Sequence, residues 1–104
     1  MDHEAQIEKF AANFDGAAVA GLLKTYRLVL SKSDAATVAF SDQAELDRVK
    51  ANFVKKKLGI TDSDEDIDAA IKQVGATMKD TRSKSRAAVY YLLAEHYGKL
   101  DLFK

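Results

Sequence analysis

The sequence contains neither cysteine nor proline, and its charge is balanced, with sixteen Lys and Arg against sixteen Asp and Glu. Without cysteine there is no disulfide, no thiolate metal ligand and no thiol chemistry. Without proline nothing in the chain locks φ or interrupts a helix from inside. A net charge of zero argues against a protein that coats nucleic acid, because phosphate contacts need a basic excess. No apolar run approaches the roughly 20 residues a membrane-spanning helix needs. The start, Met1-Asp2-His3-Glu4, lacks the basic and apolar regions of a signal peptide. A cytoplasmic location away from the membrane is therefore the expectation.

What is present points to helices. The chain has 104 residues and 47% apolar residues, the ordinary fraction for a folded domain. That length suits one domain over residues 1–104, large enough to bury a core without a staple. Ile7, Phe10, Ala11 and Phe14 follow the i, i+3, i+4, i+7 spacing, predicting a helix over 3–14. Asp15-Gly16 breaks it, and Asp15 is placed to cap a second helix over 16–30. Val19, Leu22, Leu23, Tyr26, Val29 and Leu30 form its stripe. Leu28 points the other way, so the run Leu28-Val29-Leu30 predicts a helix end covered from both sides. Residues 31–41 read as a connector with one short helical turn near Ser33 and Asp34, and with Val38 and Phe40 plugging the core.

Asp42 and Glu45 have capping-box spacing ahead of a third helix running to Leu58. Leu46, Val49, Phe53 and Leu58 face inward there. Gly59 occupies the position where a left-handed residue ends a helix, with Ile60 as its apolar clasp. Thr61 or Ser63 caps the fourth helix, whose stripe is Ile67, Ala70, Ile71, Val74 and Met78. Gly75, on the flank of that stripe, would allow a neighbouring backbone to approach closely. The most apolar stretch is Arg86 to Tyr97. Val89, Tyr90, Leu93, His96 and Tyr97 share one broad face, with Leu92 at its edge. So wide a face predicts a central helix. Gly98 stops it, and Leu100, Leu102 and Phe103 form a tail folding back onto the core. The fold expected is all-α: an irregular bundle of about five helices plus a short connector helix, with the C-terminal helix central.

Three patterns span most of this chain: Ala39-Phe40-Ser41-Asp42, Asn52-Phe53-Val54-Lys55-Lys56-Lys57-Leu58-Gly59, and Arg82-Ser83-Lys84-Ser85-Arg86 leading to Tyr90-Tyr91-Leu92-Leu93-Ala94-Glu95. In these the sequence resembles a family of short bacterial proteins of unknown function. The resemblance implies a compact helical domain of bacterial source and carries over no catalytic residue.

Candidate chemistry is sparse. Asp62, Asp64 and Asp66 match positions one, three and five of a calcium loop, but Ile67 stands where glycine is required and Gln73 where a bidentate glutamate is. An acidic first turn, favoured by the helix dipole and balanced by Lys55, Lys56 and Lys57, is the simpler reading. His3 and His96 have no ligand or carboxylate at a useful spacing, so His96 is read as a half-buried packing residue on the core face. No nucleophile elbow and no glycine-rich phosphate loop occurs. The sequence thus predicts no catalytic residue, no metal site and no cofactor.

One feature resists a purely structural explanation. Arg82, Lys84 and Arg86 lie at or before the start of the last helix, where the dipole is positive and opposes each cation by roughly 0.3–1 kcal/mol. With Thr81, Ser83, Ser85 and the helix-start amides they could hold an anion. The competing reading pairs these arginines with Asp42, Glu45 or Asp47. Tyr91 lies opposite Leu93, either as an interface anchor or buried beneath another element. The candidate binding residues are therefore Arg82, Ser83, Lys84, Arg86 and Tyr91. The function expected is a protein-interaction or regulatory module whose partner is another protein; the less favoured alternative is nucleic acid or a phosphate-bearing ligand.

Overall fold

The computed structural model describes residues 2–104 and is all-α, with no strand among the described residues. Helix α1 spans His3–Phe10, α2 Gly16–Thr25, α3 Arg27–Leu30 and α4 Gln43–Arg48. Helix α4 continues into a π-helical segment, Val49–Lys57. Helix α5 spans Asp64–Thr77 and α6 Arg86–His96, followed by a 3₁₀ turn at Leu100–Phe103.

Helix α6 is central, as its apolar breadth predicts. All eight residues from Ala87 to Ala94 are buried. Helices α1, α2, α5, the π-helical segment and the 3₁₀ turn all pack against it. Burial on every side over two turns is the mark of a core helix, since a surface helix hides only one stripe. The stripe of α5 buries as expected at Ile67, Ala70, Ile71, Val74 and Met78. Local capping also follows the sequence. Asp15 accepts from the Ala17 and Ala18 amides, Asp42 from those of Ala44 and Glu45, and Ser63 from that of Asp66. Gly59 adopts φ 71°, and the Ile60 amide reaches back to the Val54 carbonyl at 3.1 Å.

Elsewhere the packing departs from the periodic expectation. Helix α1 ends at Phe10 because the Glu95 carboxylate takes the amides of Ala12 and Asn13 at 3.1 and 2.9 Å. With the helix ended, Phe14 loses its register with Phe10 and is exposed. The second helix breaks at Tyr26, whose ring sits in an aromatic cluster with Phe53, Tyr90 and Phe103. The short extra helix is therefore α3, and the connector after it holds hydrogen-bonded turns on the Lys32 and Ala39 carbonyls. Leu28 is 75% exposed, so this helix end is covered on one side only. His96 is exposed rather than on the core face, packing edge-on against Tyr97.

The π-helical segment has a reason in the sequence. Phe53 and Leu58 are five residues apart, one more than an α-helix accommodates on a single stripe. Widening the turn to the i→i+5 pattern buries Val49, Phe53, Val54 and Leu58 together, and the Leu58 amide bonds the Phe53 carbonyl at 2.9 Å. At Gly75 the close neighbour is a side chain and not a backbone. A Cβ there would lie 2.7 Å from the Phe40 ring.

Candidate functional site

The basic turn before α6 is held in place from two sides. From one side comes the connector. Thr37 and Ser85 form an antiparallel bridge, the Val38 amide donates to the Lys84 carbonyl at 3.0 Å, and the Arg86 amide to that of Ala36 at 2.8 Å. From the other side comes α1. Gln6 donates through Nε2 to the Ser83 carbonyl and accepts the Ser85 amide at Oε1, both at 2.9 Å. The backbone of residues 83–86 is thereby fixed by partners some 50 and 80 positions away in sequence.

Within this frame the cations divide. Arg86 turns inward. Its Nε donates to the Ala35 carbonyl at 2.6 Å, Nη1 to the Tyr90 hydroxyl at 3.0 Å, and Nη2 to the Thr37 carbonyl at 3.3 Å and to the Glu45 carboxylate. Glu45 also accepts from Arg48 Nη2 at 2.9 Å. Burial pulls the Arg86 pKa down, but the hydrogen bonds to Tyr90 and Glu45 outweigh it and raise it on balance. Arg86 is therefore a structural clamp, paired with Glu45 as the competing reading expected. Asp42 plays no part in it, since its carboxylate caps its own helix. Nor does Glu45 complete a capping box, because its carboxylate is engaged by the two arginines.

Arg82, Ser83 and Lys84 stay outside the clamp. Arg82 and Ser83 are exposed and Lys84 is half-buried. Lys84 Nζ donates to the Thr81 carbonyl at 2.8 Å and stands 5.8 Å from the centroid of the Phe40 ring, within cation–π range. These three residues and Thr37–Ser41 line a cleft of about 380 Å³ with Val38 and Phe40 in its wall. The helix-start amides do not open into it as acceptor-seeking groups. Ser85 Oγ takes the Ala88 amide at 3.3 Å and lies 2.5 Å from His3 Nδ1, and the Arg86 amide is held by Ala36. Any anion here would be held by side chains.

Tyr91 is not a surface anchor. It is 0% exposed. Its hydroxyl donates to the Asn13 carbonyl at 2.7 Å and accepts the Asp15 amide at 2.9 Å. With Glu95, one turn on, it grips the α1–α2 turn against α6. Burial raises the Tyr91 pKa. The acidic run after Gly59 behaves as a compensated surface, with Asp68 paired to Lys50 at 3.2 Å and Asp64 to Lys55.

One cluster goes beyond the Glu45–Arg86 pairing that the sequence suggested. Glu45, bridging Arg48 and Arg86, lies beside Asn52, Tyr26 and Tyr90 in a second cleft of about 350 Å³. Burial, then the neighbouring Tyr90, pushes the Tyr26 hydroxyl up to about 12. The signal for it was the i, i+3, i+7 spacing of Glu45, Arg48 and Asn52, a polar row running alongside the apolar stripe of Leu46, Val49 and Phe53.

Against known proteins, the model of one family matches residues 2–101, and that family is described as protein of unknown function, DUF2853. No curated protein matches the chain.

Proposed function

We propose that this chain, which belongs to the DUF2853 family, is a protein-interaction or regulatory module and not an enzyme. The surface it would use is the cleft between Thr37–Ser41 and the basic turn. The observation that carries this reading is the division of the cations. Arg86 is consumed by the fold, whereas Arg82 forms no ion pair among the described residues and borders a cleft walled by Val38 and Phe40. Arg82 and Lys84 also stand against the helix dipole, which opposes them. A rigid basic rim beside apolar wall residues suits an acidic segment of a partner protein, with Arg82 and Ser83 as contacts and Lys84 steadied on Phe40. Arg86 enters as a support that ties the connector to α6 through the Ala35 and Thr37 carbonyls, whereas Tyr91 braces the α1–α2 turn away from the cleft. A cytoplasmic partner is part of the reading. None of the helices described is long and apolar enough to cross a membrane.

The test is charge reversal. In crosslinking from the source cells, Arg82→Glu should lose the partner recovered with the unaltered chain, while the circular dichroism spectrum stays the same. An unchanged partner set counts against the proposal. The second reading, nucleic acid or another phosphate ligand on Arg82, Ser83 and Lys84, is weakened by the zero net charge, by the hydrogen-bonded Arg86 and Ala88 amides and by the burial of Ala87. Titration with short RNA and DNA at two salt concentrations separates the two. Phosphate binding weakens steeply with salt, and absence of binding at low salt removes the second reading.

A further inference from the structure

The second cleft lies where α3, α4 and the start of the π-helical segment face α6. Its inner end is polar. The Glu45 carboxylate sits between two guanidinium groups, and its side chain and that of Arg86 are 11% and 12% exposed. Two cations surround the Glu45 carboxylate, and Asp34 on the border of the cleft brings its formal charge to zero. Arg86 is engaged through Nε and both Nη atoms. Arg48 is not: it gives Nε and Nη2 to Glu45, and its Nη1 has no partner among the described residues. The Arg48 side chain is 59% exposed, and Asn52 is exposed one turn further on.

The opposite wall is apolar and aromatic. Tyr26, Val29 and Tyr90 line it, and the Tyr26 ring meets that of Tyr90 edge-on at 5.0 Å. Behind Tyr90 the Phe53 ring stacks at 3.9 Å, so the wall is braced from within. The volume of about 350 Å³ falls at the small end of the roughly 300–1,000 Å³ of small-molecule sites. Stability alone does not account for the arrangement, because replacing a buried ion pair by apolar residues is often neutral or stabilising. What the ion pair does supply is a guanidinium fork fixed in direction beside an aromatic wall. Nonstandard helical turns such as Val49–Lys57 also recur at functional sites.

We infer that this cleft binds a small organic monocarboxylate with an apolar or aromatic body. The carboxylate lies against Arg48 and Asn52, and the body against Tyr26, Val29 and Tyr90. A planar carboxylate suits the guanidinium fork. A doubly charged phosphate suits it less, because Glu45 and Asp34 border the same cleft and would repel the second charge. This site is independent of the Arg82 cleft and does not rest on the interaction module proposed above.

The experiment is a titration of the ¹⁵N-labelled protein followed by amide chemical shifts, with benzoate as the probe. Benzamide supplies the same body without the charge, and inorganic phosphate the charge without the body. Benzoate should give saturable shifts confined to residues 26–35, 45–52 and 86–90, with a dissociation constant on the order of 1 mM or tighter, as a ligand of this size reaches. Benzamide and phosphate should each bind at least about tenfold more weakly, the loss expected when a charge-assisted hydrogen bond or the apolar contact is missing. Arg48→Gln should weaken benzoate by at least about tenfold, and its amide spectrum away from the cleft should be unchanged. Should that variant not fold, Asn52→Asp, at an exposed position, carries the same test by placing a negative charge at the carboxylate position. Absence of saturable shifts with benzoate, equal binding of benzamide, or unchanged affinity in the folded variant overturns the inference.

Discussion

Replacing Gly21 by alanine should have opposite effects depending on whether the C-terminal tail is present. Gly21 lies inside α2, where alanine is the better helix former by about 0.5–1 kcal/mol. In this fold, however, a Cβ at Gly21 would lie 1.4 Å from the Phe103 carbonyl oxygen and 2.6 Å from its carbon. Those are backbone atoms of the 3₁₀ turn, so relief requires the tail to lift. Lifting it exposes Phe103, which is 5% exposed, near-parallel to Phe53 at 6.3 Å and covered by Lys57 Nζ at 5.6 Å. Uncovering a buried phenylalanine costs about 1.5–3 kcal/mol. The Lys104–Asp15 pair at 2.8 Å is solvent-exposed and adds little. Set against the helix gain, Gly21→Ala should destabilise the full chain by roughly 0.5–2.5 kcal/mol. In a chain lacking residues 102–104 the obstacle is gone, and the same substitution should stabilise by about 0.5–1 kcal/mol. Urea unfolding followed by far-ultraviolet circular dichroism measures all four species. A loss of equal size in both backgrounds, or no loss in the full chain, would refute the claim that the tail docks through the bare face of Gly21.

Glu45→Ala should cost about 3–5 kcal/mol, since it strands the buried Arg86 guanidinium, whereas Arg82→Ala should stay within about 0.5 kcal/mol of the parent. Comparable costs in the same urea assay would erase the distinction between clamped and exposed arginines. The Tyr97 hydroxyl is buried with no hydrogen-bond partner among the described residues, so Tyr97→Phe should be neutral or stabilising by up to about 1 kcal/mol; a loss of that size would reveal a partner for the hydroxyl. Burial holds the His3 pKa below its ordinary 6.5, so on acidification the unfolded chain takes up this proton before the folded one does. The stability His3 contributes is therefore complete above about pH 6.5 and lost as pH falls through the lower folded value. Unfolding midpoints between pH 7.5 and 5 should show that decline and His3→Gln should flatten it; an identical slope in both would assign the effect elsewhere.

The features legible in the sequence are those settled by groups a few residues apart. Asp15, Asp42 and Ser63 cap because an oxygen at the N-cap reaches amides two or three positions on. Gly59 closes its helix because it tolerates a positive φ. The stripe of α5 and the breadth of α6 follow from a helical period that needs no partner to be read. The tertiary structure decided what distant residues do to one another. Glu95 ends α1 eighty-three positions away and Tyr91 is buried by the turn it grips. Arg86 is claimed by Glu45 forty-one positions away while Arg82 stays outside. Side-chain type sets how many hydrogen bonds a group must make, but only the folded arrangement brings a partner within 3 Å. That is why the core was readable from periodicity, and why the division of the basic turn into a clamp and a surface was not.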